Sequence, residues 1–215
     1  MKLFIYDHCP YCVKARMIFG LKDLPVRLVT LLSDDKATPI SMIGKKMAPI
    51  LQKDDGSYMP ESMDIVHYID NHHGTPLLTG KTNPAIANWL QHVDGYRNKL
   101  LLPRFANADF EEFATDSARR YFTDKKQAAM GDFTALLADS ADLIAQLEDD
   151  LQHLAPLITS PEAVNGTLSE DDIHLFPVLR SLSIVAGVAL PSNVEAYRNR
   201  MAQRCDIPLL FDMEQ

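Results

Sequence analysis

Residues 2–21, KLFIYDHCPYCVKARMIFGL, decide the fold. Lys2–Tyr6 is continuously apolar after its lysine, as a strand covered on both faces requires. Tyr11–Leu21 then places Ala15, Ile18 and Phe19 at helical spacing. Between them stands Cys9-Pro10-Tyr11-Cys12, at the point where the strand gives way to the helix. Cys9 takes the N-cap and Pro10 the first helical position, where a proline sacrifices no needed donor. At that separation on a helix start the two sulfurs come close enough to bridge.

The alternation continues outward. Val26–Leu32 is a second strand-like run, and Asp34–Gly44 reads as a short helix ended by its glycine. Pro49–Gln52 and Gly56–Met59 flank Asp54-Asp55-Gly56, a turn signal that joins antiparallel strands. Glu61–Asn71 follows with Ile65, Val66 and Ile69 on one helical face. The order βαβαββα predicts an α/β domain, a small sheet with crossover helices, over residues 1–73.

Gly74, Pro76, Gly80 and Pro84 crowd the stretch 74–84, which reads as a linker. Beyond it strand signals vanish, and residues 85–215 read as an all-helical domain of roughly five helices. Asn83-Pro84 is an N-cap followed by proline. One helical face collects Ile86, Trp89, Leu90, Val93, Leu100 and Leu101, and a second long one runs from Phe133 to Leu154. Ser169 and Asp172 form a capping box, with Leu168 and Ile173 as its hydrophobic staple. Pro177 falls inside that helix and should bend it.

Composition excludes several classes. The 215 residues are 47% apolar and 23% charged, ordinary for a globular protein. No apolar run approaches the roughly 20 residues of a membrane helix. The start reads as a buried strand and not an export signal, so the expectation is the cytoplasm, where thiols stay reduced. Three cysteines are too few for a disulfide framework. Net charge is −8, all of it arising in residues 74–215, whose twelve basic side chains face twenty acidic ones. Without a basic stripe, a nucleic-acid partner is not expected. Arg119-Arg120 and Lys125-Lys126 read as a solvated helix face.

The chemistry centres on a thiolate. A free thiol with a pKa of about 8.5 is only a few per cent ionised at neutral pH. Lowering it to about 6 requires about 3.4 kcal/mol. A helix dipole supplies at best about 2 kcal/mol, so hydrogen bonds must supply the rest. The backbone N–H groups of Tyr11 and Cys12 and the Cys12 thiol are the donors in reach. Only the N-terminal sulfur has that geometry, which makes Cys9 the nucleophile and Cys12 the resolving thiol. Zinc is not expected, because no second cysteine pair exists to complete four ligands. Cys205 reads as a small buried hydrophobe. His72-His73 reads as a helix C-terminal cap, and Tyr96, Phe105 and Phe113 as core.

Two further sites follow from local chemistry. Ala48-Pro49 opens a strand, and a cis bond there would turn the Ala48 N–H and C=O outward opposite Cys9. Glu61-Ser62 opens a helix, where backbone N–H groups and a hydroxyl suit a carboxylate and Glu61 suits an ammonium group.

Cys9-Pro10-Tyr11-Cys12, Ala48-Pro49, Glu61-Ser62 and the Ser169–Asp172 box together resemble the glutathione-transferase-like glutaredoxins. The resemblance covers the chain end to end. It implies a thioredoxin-like N-terminal domain, a helical C-terminal domain and a glutathione site between them. It implies that Ala48, beside cis-Pro49, pairs with the cysteinyl backbone of glutathione, and that Glu61 and Ser62 hold the γ-glutamyl end. A basic group near the glycine carboxylate is implied too, with Lys22, Lys36, Lys45 and Lys46 as candidates. Proline after the first cysteine argues against an iron–sulfur cluster. The implied activity is reduction of protein–glutathione mixed disulfides and protein disulfides by a monomer. The alternatives are a glutathione transferase, which wants a hydroxyl where Cys9 stands, and a non-catalytic binding protein of the same fold.

Overall fold

The computed structural model describes all 215 residues. β1 (Lys2–Ile5) leads through α1 (Pro10–Leu21) to β2 (Arg27–Thr30), which pairs with β1 in parallel. After α2 (Ala37–Ile43), β3 (Ile50–Gln52) and β4 (Tyr58–Pro60) form a hairpin whose first strand lies antiparallel to β1. The sheet order is β2-β1-β3-β4, and α3 (Ser62–His72) closes the unit, the βαβαββα arrangement that the resemblance implies. Both faces of β1 are covered. Leu3 and Ile5 enter the main core, while Phe4 meets Leu31 and Ile50 on the other face. β2 is an edge strand, half exposed, and is shorter than the apolar run containing it because it spans only the four residues that pair with β1. α2 ends at Gly44 in the left-handed conformation, φ 76°, which glycine adopts without strain.

The rest is helical, with seven α-helices in place of the five read from periodicity. They are α4 (Pro84–Asp94), α5 (Arg97–Asn107), α6 (Asp116–Met130), α7 (Phe133–Ala138), α8 (Ser140–Leu154), α9 (Glu170–Leu182) and α10 (Ser192–Cys205). The excess comes from two breaks. Gly95 and Tyr96 donate to carbonyls three residues back and so end α4, though the apolar face continues into α5. Asp139 closes α7 and caps α8, a residue type that favours helix ends over interiors. The caps at Asn83 and at Ser169 with Asp172 form as read. α9 runs unbroken through Pro177.

One core spans both halves, because α1 packs on α3 from one side and on α9 and α10 from the other. Polar groups lock the seam. Arg180 of α9, with 0% exposure, donates to the Asp7 carbonyl at 2.8 Å and to its carboxylate at 3.0 and 3.2 Å. Arg16 of α1 pairs with the same carboxylate, and the two guanidinium groups hold it below the usual carboxylate range against its burial. Gly20 of α1 lies so close to the Cys205 backbone that a methyl group there would overlap the carbonyl. His73 caps α3 as read, whereas His67 reaches across the seam to Glu170 at 2.7 Å. No helix is long and apolar enough to cross a membrane.

Candidate active site

Cys9 is the N-cap of α1, with extended backbone (φ −77°, ψ 119°), and Pro10 opens the helix. The Cys9 N–H donates to the Tyr6 carbonyl at 3.2 Å, and the Tyr6 N–H donates to the Cys12 sulfur at 3.4 Å. That fold-back leaves Cys9 half-buried at the surface and Cys12 wholly enclosed, while Tyr11 between them is 59% exposed.

The two thiols diverge in acidity. Cys9 falls from the ordinary 9.0 to about 6. The hydrogen bond from the Cys12 thiol contributes most, followed by the charge of His8 and the backbone N–H groups of Cys12 and Tyr11, all against burial. Cys12 moves well up, driven first by burial and then by the bond it gives to Cys9. At neutral pH the thiolate is therefore the predominant form of Cys9. Cys205 lies far away at the end of α10, buried, and its thiol is pushed up to about 12.

A cavity of about 240 Å³ opens on Cys9, bounded by Tyr6, Ser33, Lys46, Ala48, Tyr121 and Lys126. The Ala48–Pro49 bond is cis, and no backbone hydrogen bond engages the Ala48 N–H or C=O. Glu61 and Ser62 do not line this cavity. They follow Pro60, which pairs with Ile50, so they lie at the neighbouring strand end beside Pro49. Glu61 has φ 69° and pairs with Lys45 at 3.1 Å, while Ser62 is buried at the first turn of α3. A second cavity, about 280 Å³, opens on the other side of Cys9 toward Arg97, Leu101 and Phe105. The largest cavity, about 520 Å³, runs along β2 and does not reach Cys9.

The candidate lysines separate cleanly. Lys22 is buried on Asp70 at 3.1 Å and caps the end of α1 opposite Cys9. Lys45 is occupied with Glu61, and Lys36 lies over the Tyr121 ring. Lys46 lines the cavity, donates to the Ser33 carbonyl, and sits 3.8 Å from the Tyr121 ring centre. Lys125 and Lys126 line it too; Lys125 is exposed, as a solvated face requires, but Lys126 is half-buried, which corrects that reading for the second of the pair. The cause is helical geometry. Ala118 and Phe122 are the buried stripe of α6, and Lys126 is the next position on it. Burial, then Lys125, lowers the Lys126 ammonium. The spacing Ala118-Phe122-Lys126 was the available signal. Nothing local marked Tyr6, His8, Glu112 or Tyr121.

Two family models match the chain. The glutathione S-transferase N-terminal domain matches residues 3–77, and the glutaredoxin 2 C-terminal domain matches residues 85–214. Among curated proteins, glutaredoxin 2 of Escherichia coli K12 is 62% identical over 213 residues, 99% of each chain, and its counterpart in the O157:H7 strain matches equally. Among solved structures, glutaredoxin 2 of Salmonella typhimurium in complex with glutathione is 62% identical. It covers 100% of this chain and 98% of its own, with a TM-score of 0.99. Gtt2 of Saccharomyces cerevisiae, 19% identical over 99% and 100% of the two chains at a TM-score of 0.56, shares the fold.

Proposed function

The chain belongs to the glutaredoxin 2 family and is a glutathione-dependent disulfide oxidoreductase, and we propose that Cys9 is its nucleophile and Cys12 its resolving thiol. The observation that carries this assignment is the split between two neighbouring thiols, one lowered to about 6 and accessible, the other raised and enclosed.

The Cys9 thiolate attacks the glutathione sulfur of a mixed disulfide. The protein sulfur leaves with the bonding pair, and glutathione stays on Cys9. A second glutathione then attacks that sulfur, releasing glutathione disulfide and restoring the Cys9 thiolate. For a protein disulfide, Cys9 joins one protein sulfur, and Cys12 displaces it to close a Cys9–Cys12 bond that glutathione reduces.

The 240 Å³ cavity is the proposed glutathione groove. The free Ala48 N–H and C=O suit the cysteinyl backbone, and Glu61 and Ser62, beyond the cis-Pro49, suit the γ-glutamyl end. Lys46, Lys125 and Lys126 supply cations for the glycine carboxylate. The working division places the thioredoxin-like domain at 1–73, the linker at 74–84 and the helical domain at 85–215. The proposed partners are glutathionylated and disulfide-containing proteins of the cytoplasm, met by a monomer.

Activity on a hydroxyethyl disulfide with glutathione should far exceed conjugation of chlorodinitrobenzene, and Cys9→Ser should abolish the former. Efficient conjugation by the Cys9→Ser protein would instead establish a transferase.

A further inference from the structure

The steps of the exchange assign no proton transfer to a buried pair of titratable groups beside Cys9. The His8 ring lies immediately ahead of Cys9, enclosed by Phe105, Phe110, Phe113 and Phe122 of the helical half, with ring centres 5.1 to 5.9 Å away. One carboxylate penetrates that apolar wall. Glu112 has 0% exposure, and its Oε1 accepts the His8 backbone N–H at 2.9 Å and meets His8 Nδ1 at 2.7 Å. Its Oε2 has no partner. Burying a carboxylate is costly, and here both contacts of its Oε1 go to the residue that precedes Cys9.

The pairing assigns roles to the ring nitrogens. Glu112 keeps a proton on Nδ1 and leaves Nε2, which has no hydrogen-bond partner in the protein, as the nitrogen that can exchange one. His8 also borders both cavities that meet at Cys9, so a group leaving by either side passes the same ring.

We propose that His8, positioned by Glu112, carries the proton of the exchange, a role that rests on the assignment of Cys9 as nucleophile. In the first half, the Cys9 sulfur bonds to the glutathione sulfur and the mixed disulfide breaks. Its electron pair stays on the departing protein sulfur, and the Nε2 proton moves there. In the second half, the incoming glutathione gives its S–H proton to Nε2 and attacks the glutathione sulfur held on Cys9. The bonding pair returns to Cys9. One mixed disulfide and one glutathione become one protein thiol and one glutathione disulfide, with no outside oxidant or reductant.

The charges around the ring change in step with that sequence. The Cys9 thiolate and the Glu112 carboxylate both act on it while Cys9 is free, and only the carboxylate remains once glutathione caps Cys9. The other ionisable groups that share its two cavities are the phenols of Tyr6, Tyr11 and Tyr121, the cations Lys46, Arg97, Lys125 and Lys126, and Asp94, the last residue of α4. None offers a shared proton at the distance of Glu112.

The test uses full-length protein and two glutathione mixed disulfides, one releasing an aryl thiolate that leaves as a stable anion and one releasing an alkyl thiol. Single-turnover rates are divided by the Cys9 thiolate fraction, measured by ultraviolet titration for each variant. His8→Gln should slow the alkyl substrate about a hundredfold and the aryl substrate by less than about threefold. Glu112→Gln preserves shape and should show the same selectivity at about tenfold. Equal loss on both substrates, or no loss on either, overturns the proposal. Retention of both reactions by Cys9→Ser would instead overturn the assignment on which it rests.

Discussion

The start of α1 and the end of α10 each present a cysteine, and the two ends do opposite things to it. Cys9 receives hydrogen bonds from Cys12 and from backbone N–H groups that the helix leaves unpaired, and its thiol falls to about 6. Cys205, the last residue of α10, has no such donors; burial lifts its thiol to about 12, with Arg204 opposing the rise and Asp172 adding to it. Burial opposes ionisation at both, so burial does not distinguish them. The donors do. The end of α10 meets the opposite end of α1, where Gly20 packs on the Cys205 backbone, so Cys205 belongs to the seam between the two halves and not to the surroundings of Cys9.

The sharpest way to break this contrast is to remove each sulfur. Cys9→Ser should reduce turnover of a glutathionylated protein to background, while Cys205→Ala should leave it unchanged. Equal losses would erase the distinction. Cys12→Ser separates the two proposed reactions, keeping removal of glutathione from a mixed disulfide and losing turnover of protein disulfides. The same variant should raise the Cys9 midpoint, because the Cys12 thiol is the largest cause of its depression.

The sign of the pH dependence follows from the anion being the reactive form. Alkylation of Cys9 should gain about tenfold per pH unit on approaching pH 6 from below and flatten above it. Cys205 in the folded protein should stay unmodified throughout that range. Lys46→Met and Lys126→Met should raise KM for glutathione about three- to tenfold with kcat little changed, measured with the disulfide saturating. The smallest effect concerns the seam. Gly20→Ala should cost about 1–3 kcal/mol and lower Tm by a few degrees in a thermal melt, with the Cys9 midpoint unmoved.

Features written in a few adjacent residues were legible in the sequence. Cys9 with Pro10, Asn83 with Pro84, Ser169 with Asp172 and the turn at Gly56 each place a special residue where one backbone geometry needs it. The helix count was not, because an apolar face runs across Gly95 and Asp139 although the backbone hydrogen bonding stops there. Half of the active site was hidden for another reason. Glu112 lies in the string Asp109-Phe110-Glu111-Glu112-Phe113, which looks like an acidic, solvated turn, and its partner His8 is 104 residues away. Only the packing of the helical half against the sheet half shows which of two adjacent glutamates is buried.

Cys9 is an anion at neutral pH because the Cys12 thiol, and after it the first backbone N–H groups of α1, donate to its sulfur. Ultraviolet thiolate absorbance of the folded wild-type protein across pH, with the Cys9→Ser signal subtracted, tests this directly. A midpoint near 6 is the predicted result, and a midpoint near the ordinary 9.0 would contradict it.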